Sequence, residues 1–346
     1  MPLGMHVPEY LGRTFGVNAR EWILVSDSTA SFEFRAIVLP PDAGEGAGPL
    51  PVPGCPLTAP SPACAVEADP LVIGETDWIF AIAPFATDGG TLFRPAMMGP
   101  LGEIVALFPH DYRWNPADVR QPVVGPGSRL AWLLNESELG AASRLRPVVW
   151  PTAGTEFADL PQGGFAQGPA PLGVDADGRI AGAGIDPELP VVWLPSNGDY
   201  TLVALPLLAG GKRGAALGVD DDLVVGWSDD GSAEHAVLWL RRAEGYEVRA
   251  LPLPESAVAC TRAVAISSTR IVGACAAEGD APLAVLWEAG ADTGSRDVVR
   301  LLQPLPGDAV ARVVAVSGDL AVGTSAKTSQ SRPQQAGWRL PPLAVD

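Results

Sequence analysis

The chain has 346 residues, 47% hydrophobic and 18% charged, which excludes wholesale disorder and leaves room for a large core. Acidic residues outnumber basic ones 40 to 23, and a net charge of −17 sets the surface against phosphate backbones and anionic lipid, so neither nucleic acid nor a membrane surface is an expected partner. No apolar run reaches the roughly 18 residues of a membrane span, so no membrane insertion is expected.

Glycine (39) and proline (35) together exceed a fifth of the chain, and with apolar runs between them they predict short strands joined by turns. The opening Met1-Pro-Leu-Gly-Met-His6 lacks the basic start and apolar stretch of a signal peptide. His6–Leu11 fits no repeat unit. From residue 14 onward, units of one pattern follow each other.

Each unit begins with a strand ending in a small-apolar-polar triplet: Gly16-Val-Asn18, Gly173-Val-Asp175, Gly218-Val-Asp220, Ala265-Ile-Ser267 and Ala315-Val-Ser317. The polar side chain of each triplet suits a tight turn by bonding backbone just ahead of it. A second strand carries a central glycine at Gly182, Gly226, Gly273 and Gly323, where another backbone or a bulky ring is expected close by. A third strand ends in tryptophan: Trp150, Trp193, Trp239, Trp287 and Trp338, at intervals of 43 to 51 residues. A fourth strand closes most units, at Tyr200–Leu205, Glu247–Leu251 and Asp297–Leu301.

Weaker copies precede these. Arg35–Leu39 and Arg94–Met98 stand for third strands, Glu21–Val25 and Asp77–Ala81 for second strands, and Leu139-Gly140 for the second strand of the third unit. The units are residues 14–64, 65–119, 120–167, 168–212, 213–259, 260–309 and 310–346 of a single domain. Four strands per unit, seven times over, predict an all-β, seven-bladed β-propeller of antiparallel blades. Runs such as Ala236-Val-Leu-Trp239 do not alternate with polar residues, which marks strands buried on both faces between blades. After Trp338 only eight residues remain, too few for a fourth strand, so residues 6–11 are expected to supply it and close the ring.

Two cysteine pairs lie close in sequence. Cys55 and Cys64 bracket a proline-rich loop, and Cys260 and Cys275 flank a hairpin centred near Ser267-Ser268. Both pairs are expected to be disulfides, which places the protein in an oxidising compartment: secreted, periplasmic or at the cell surface.

The unit Gly218-Val-Asp-Asp-Asp-Leu-Val-Val-Gly-Trp-Ser228 followed by His235-Ala-Val-Leu-Trp239 resembles the repeat of the extracellular HAF-repeat proteins. That repeat runs Gly-Ile-Asn, a turn, Val-Val-Gly-x-Ser, a gap, then His-Ala-Phe-Leu-Trp. Units four to seven carry most of the pattern. The motif histidine is present only at His235 and is replaced by Leu189, Leu283 and Gln334. The resemblance implies a propeller and an exported protein, and little about activity.

Function on such a scaffold is expected in unit-specific loops, of which residues 40–64, 84–93 and 109–128 are the longest. Pro109-His-Asp-Tyr-Arg-Trp114 is the densest cluster. His110 beside Asp111 offers acid-base chemistry, with Tyr112 or Arg113 assisting, and Tyr112, Arg113 and Trp114 offer a stacking surface for a sugar or planar ligand. Alternatively Tyr112 and Trp114 anchor the loop. His235, at the start of a core strand, reads as structural. Asp175–Gly178 and Asp220–Asp222, with Asp229–Gly231 nearby, fall at predicted hairpin turns, and the first lacks a calcium loop's further ligands and distal Glu, so no metal is expected; no cofactor is expected either. The leading reading is a monomeric binding or scaffold propeller for a glycan, peptide or protein. The alternatives are a propeller hydrolase or lyase using the 109–114 loop, and a structural subunit of a larger assembly.

Overall fold

A computed structural model describes residues 157–279, 281–289, 298–331 and 333–341 in full, residues 123–125, 129–136 and 144–150 ahead of them, and strand backbones over residues 1–122. The described residues form strands and no helix long and apolar enough to cross a membrane.

After β1 (Pro2–Leu3), the strands fall into groups of four. The first sheet holds β2 (Thr14–Val17), β3 (Ile23–Ser28), β4 (Phe34–Leu39) and β5 (Leu50–Pro51). The second holds β6 (Val72–Ile73), β7 (Ile79–Thr87), β8 (Gly90–Met98) and β9 (Ile104–Leu107), and the third β10 (Val123–Val124), β11 (Leu130–Glu136), β12 (Arg144–Trp150) and β13 (Ala158–Asp159). The fourth holds β14 (Ala170–Val174), β15 (Ile180–Ala183), β16 (Pro190–Ser196) and β17 (Asp199–Ala204), and the fifth β18 (Gly214–Asp220), β19 (Leu223–Asp229), β20 (Glu234–Arg242) and β21 (Gly245–Ala250). The sixth holds β22 (Ala259–Ser267), β23 (Arg270–Ala276), β24 (Pro282–Glu288) and β25 (Val298–Leu302), and the last β26 (Val310–Ser317), β27 (Leu320–Ala326) and β28 (Gln334–Arg339).

Every sheet is an antiparallel meander of four strands, and the fourth place beside β28 is taken by β1, with Pro2 opposite Trp338 and Leu3 opposite Gly337. The segment 6–11 expected there lies outside the described residues. Each sheet lies against the next, and β2 lies against β26 and β27.

The tryptophan-terminated strands are buried on both faces, as their unbroken apolar character requires: Ala236 to Leu240 are all buried, as are Ala284 to Trp287. Trp193, Trp239 and Trp287 are fully buried, each packed into the sheet before its own. Each indole Nε1 also donates to a carbonyl just past the fourth strand of the preceding unit, where the chain leads into the tryptophan's own unit: Trp193 to Pro161, Trp239 to Pro206, Trp287 to Pro252 and Trp338 to Gln303, all at 2.7–2.8 Å. The tryptophan is therefore a spacer with a polar anchor, and the buried leucine just before each acceptor, such as Leu160 or Leu205, completes the contact. The central glycines meet what was expected of them. A Cβ on Gly182 would sit 2.5 Å from the Trp193 ring, and one on Gly226 would overlap the Ala215 carbonyl.

Four sequence expectations need correction. Leu139-Gly140 is not the second strand of the third unit, which is β11, paired along its length with β12. Residues 84–93 are not a loop: β7 and β8 run through them, and Asp88-Gly89 is the hairpin signal that was passed over. Residues 40–64 are interrupted by β5, so residues 40–49 join a third strand to a fourth.

The fourth correction concerns the triplets. Among the described residues only Asp175 bonds its own turn, accepting from the Arg179 backbone N–H at 2.7 Å. Asp220 accepts from the N–H of Ser268, and Ser267 Oγ from the N–H of Gly318 at 3.1 Å, each in the next unit's turn. A bulge accompanies the triplet whether its side chain stays local or crosses: register skips one residue just before the triplet in β2, β14, β18, β22 and β26. Such a bulge bends and twists the strand just ahead of the triplet.

Candidate functional site

The turns linking second to third strands, and the linkers between sheets, share one edge of the meanders. At that edge the fifth sheet carries the richest side-chain chemistry among the described residues. Its β19–β20 turn is built by two carboxylates. Asp230 accepts from Ser232 Oγ (2.6 Å), from the backbone N–H of Ser232 (2.8 Å) and Ala233 (2.9 Å), and faces His235 Nε2 at 2.9 Å. The Ser232 hydroxyl first, then those N–H groups and His235, hold the Asp230 carboxyl well below the usual range. Burial works against ionising Asp229, but the N–H groups of Arg213 and Lys212 and the Arg213 charge outweigh it and lower its pKa. Asp229 thereby fixes the chain entering β18, and with it Arg213.

Arg213 and Arg262 converge on one indole. Their guanidinium carbons lie 5.8 and 5.6 Å from the Trp227 ring centroid, within cation–π range. Trp227 is 2% exposed and packs with Ala183, Ala215, Leu172 and Leu217, whereas the arginine side chains are 56% and 51% exposed. The Glu234 carboxylate lies between them, Oε1 at 3.8 Å from Arg213 Nη2 and Oε2 at 3.9 Å from Arg262 Nη2. Both separations exceed a hydrogen bond. Asp229 Oδ2 also lies 3.8 Å from Arg213 Nε, so the result is a rigid aromatic floor, two solvent-facing planar cations and two loosely held internal anions, of which Glu234 reaches both cations.

Sequence reasoning passed over this cluster. Trp227 lies off the 43–51-residue period, at the position where the repeat Val-Val-Gly-x-Ser specifies no residue. Its displacement from the period was the available signal. Arg262 reaches it from the next sheet, a contact that no local pattern carries. His235 braces the turn through Asp230, in line with a structural role. The acidic clusters are occupied by protein donors: Asp175 and Asp177 each take Arg179 Nη1 at 2.9 Å, and Asp221 meets it at 3.4 Å. No group of three or more metal-ligating side chains occurs among the described residues. His110, Asp111, Tyr112, Arg113 and Trp114 lie outside the described residues, as do Cys55 and Cys64. Cys260 and Cys275, directly opposite in β22 and β23, form a disulfide.

No family model matches the chain. No curated relative matches it either. Solved structures do. A prolyl endopeptidase aligns at TM-score 0.58 and 14% identity over 91% of this chain and 44% of its own. An acylaminoacyl peptidase aligns at 0.54 and 10% over 91% and 50%. YCF48 from Cyanidioschyzon merolae aligns at 0.52 and 10% over 98% of both chains. The fold is propeller-like. This chain spans about half the length of the two peptidases and nearly all of YCF48. At these identities the likeness is one of fold alone.

Proposed function

We propose that this chain is an exported binding or scaffold propeller of the HAF-repeat type, which presents one loop-bearing face to a glycan, peptide or protein. The carrying observation is the Arg213–Trp227–Arg262 cluster: exposed hydrogen-bond donors held on a buried ring at the edge where turns and linkers meet. Such groups orient a ligand and cost little to order on binding.

In this reading the seven sheets are blades of one closed ring and one domain. The contact of β2 with β26 and β27, and the pairing of β1 with β28, support closure. The Cys260–Cys275 disulfide supports an oxidising compartment, hence export. The protein acts as a monomer.

The test is an array of glycans and peptides probed with the purified, oxidised protein, with sedimentation for its assembly state. Saturable binding to at least one ligand class, lost when loops of this face are exchanged, is expected. A monomer that binds nothing on either array would overturn the reading.

A further inference from the structure

Glu234 shows what the arginine pair is shaped to hold. Its two oxygens address two guanidinia, one each, on a shared aromatic floor. The carboxylate comes from the first residue of β20, and both approaches stop short of hydrogen bonding. A free carboxylate has no such tether. It can close on both guanidinia at 2.7–2.9 Å, the geometry in which Arg–carboxylate contacts are strongest. We propose that Arg213 and Arg262 form a docking site for a single carboxylate of a peptide ligand, with Glu234 as a resident competitor.

The rest of the surface narrows the ligand. A net charge of −17 repels polyanions, so the carboxylate must be isolated rather than one of a run. Close to the site in the chain, Leu253 (51% exposed) and Val258 (61% exposed) occupy the linker that leads into the strand carrying Arg262. Apolar side chains flanking the carboxylate would cover them. An acidic sugar offers the same carboxylate without apolar flanks, so the peptide is favoured. The inference rests on the binding-propeller reading and deepens it.

The experiment measures fluorescence anisotropy of a labelled, end-blocked Ala-Leu-Glu-Leu-Ala peptide and its Gln analogue against the full chain. Binding of the Glu peptide, weaker by about tenfold for the Gln analogue and for R213Q or R262Q, is expected, since a charge-assisted hydrogen bond is lost in each case. Glu234→Gln should bind several-fold more tightly, a gain that a damaged fold cannot produce. Equal affinity for the Glu and Gln peptides, or weaker binding by Glu234→Gln, would overturn the proposal. So would a uronate oligosaccharide that binds in an Arg213-dependent way while the peptide does not. Binding of array ligands that is indifferent to R213Q and R262Q would sink this inference and leave the broader reading standing. Silence toward every ligand would sink both.

Discussion

Trp239 Nε1 donates to the Pro206 carbonyl at 2.7 Å, across 33 residues of chain. The bond ties the end of a third strand to the linker that enters the same unit, while the ring fills the gap to the preceding sheet. Trp239→Phe keeps most of the apolar contact and loses the donor, so about 1 kcal/mol of stability should go. Trp239→Ala also opens a cavity and should cost about 3–5 kcal/mol. Urea unfolding distinguishes the two, and Trp193 and Trp287 should give matching pairs of values. A Phe variant as damaging as the Ala variant would mean that the anchor, and not the spacer, dominates.

The tryptophan period was legible because the spacing between successive sheets imposes the same demand on every unit. A continuous apolar run and a ring at its end satisfy that demand, and both are visible in one strand. The triplet side chains were misread for the opposite reason. Asp220 and Ser268 are 48 residues apart, and a rule for local turns knows nothing of a neighbouring sheet. The Arg213–Trp227–Arg262 cluster was hidden in the same way, since it is assembled from two units. Periodic features announce themselves in sequence, whereas contacts between units do not.

Asp220 offers a test of the inter-sheet latch. Burial raises its pKa despite the Ser268 N–H, which favours the ionised form. An acid raised in the folded state is disfavoured when charged, so its cost appears as pH rises through the folded value. Asp220→Asn keeps an acceptor for Ser268 and removes the charge, so it should be neutral or slightly stabilising at pH 7. Asp220→Ala leaves the N–H without its partner and should cost about 1–2 kcal/mol. Thermal unfolding of both variants at pH 5 and 8 is the measurement. An Asn variant as unstable as the Ala variant would show that the charge itself holds the turn.

Asp230 has the opposite sign. Its folded pKa is depressed, so its contribution is present above the unfolded carboxylate value of about 4 and fades as pH falls through the folded value. The gap in melting temperature between the native chain and Asp230→Ala should therefore shrink as pH falls below about 4. A gap that persists unchanged at about pH 2 would separate the turn's stability from ionisation of this carboxyl.

Cys275 stands where the repeat places a serine. In the fifth sheet Ser228 Oγ accepts from the Leu208 N–H at 3.1 Å, and in the last sheet Ser325 Oγ accepts from Leu305 at 2.9 Å. Leu208 and Leu305 each lie three residues after a buried leucine at or just past the end of a fourth strand, Leu205 and Leu302. The same step from Leu251 arrives at Pro254, which has no N–H to give. A serine at position 275 would lack its donor, and the sixth sheet instead closes a disulfide to Cys260. Replacing the pair by Cys260→Ala and Cys275→Ser should cost about 3 kcal/mol, the chain-entropy value for a loop of about 15 residues. Adding Pro254→Leu to that variant restores a donor and should return about 1 kcal/mol. In the disulfide-bonded chain the same Pro254→Leu change meets no hydroxyl and frees the unfolded backbone, so it should be neutral or mildly destabilising. Urea unfolding of the four proteins measures the coupling. Equal effects of Pro254→Leu in both backgrounds would refute the exchange of a hydrogen-bonded latch for a covalent one.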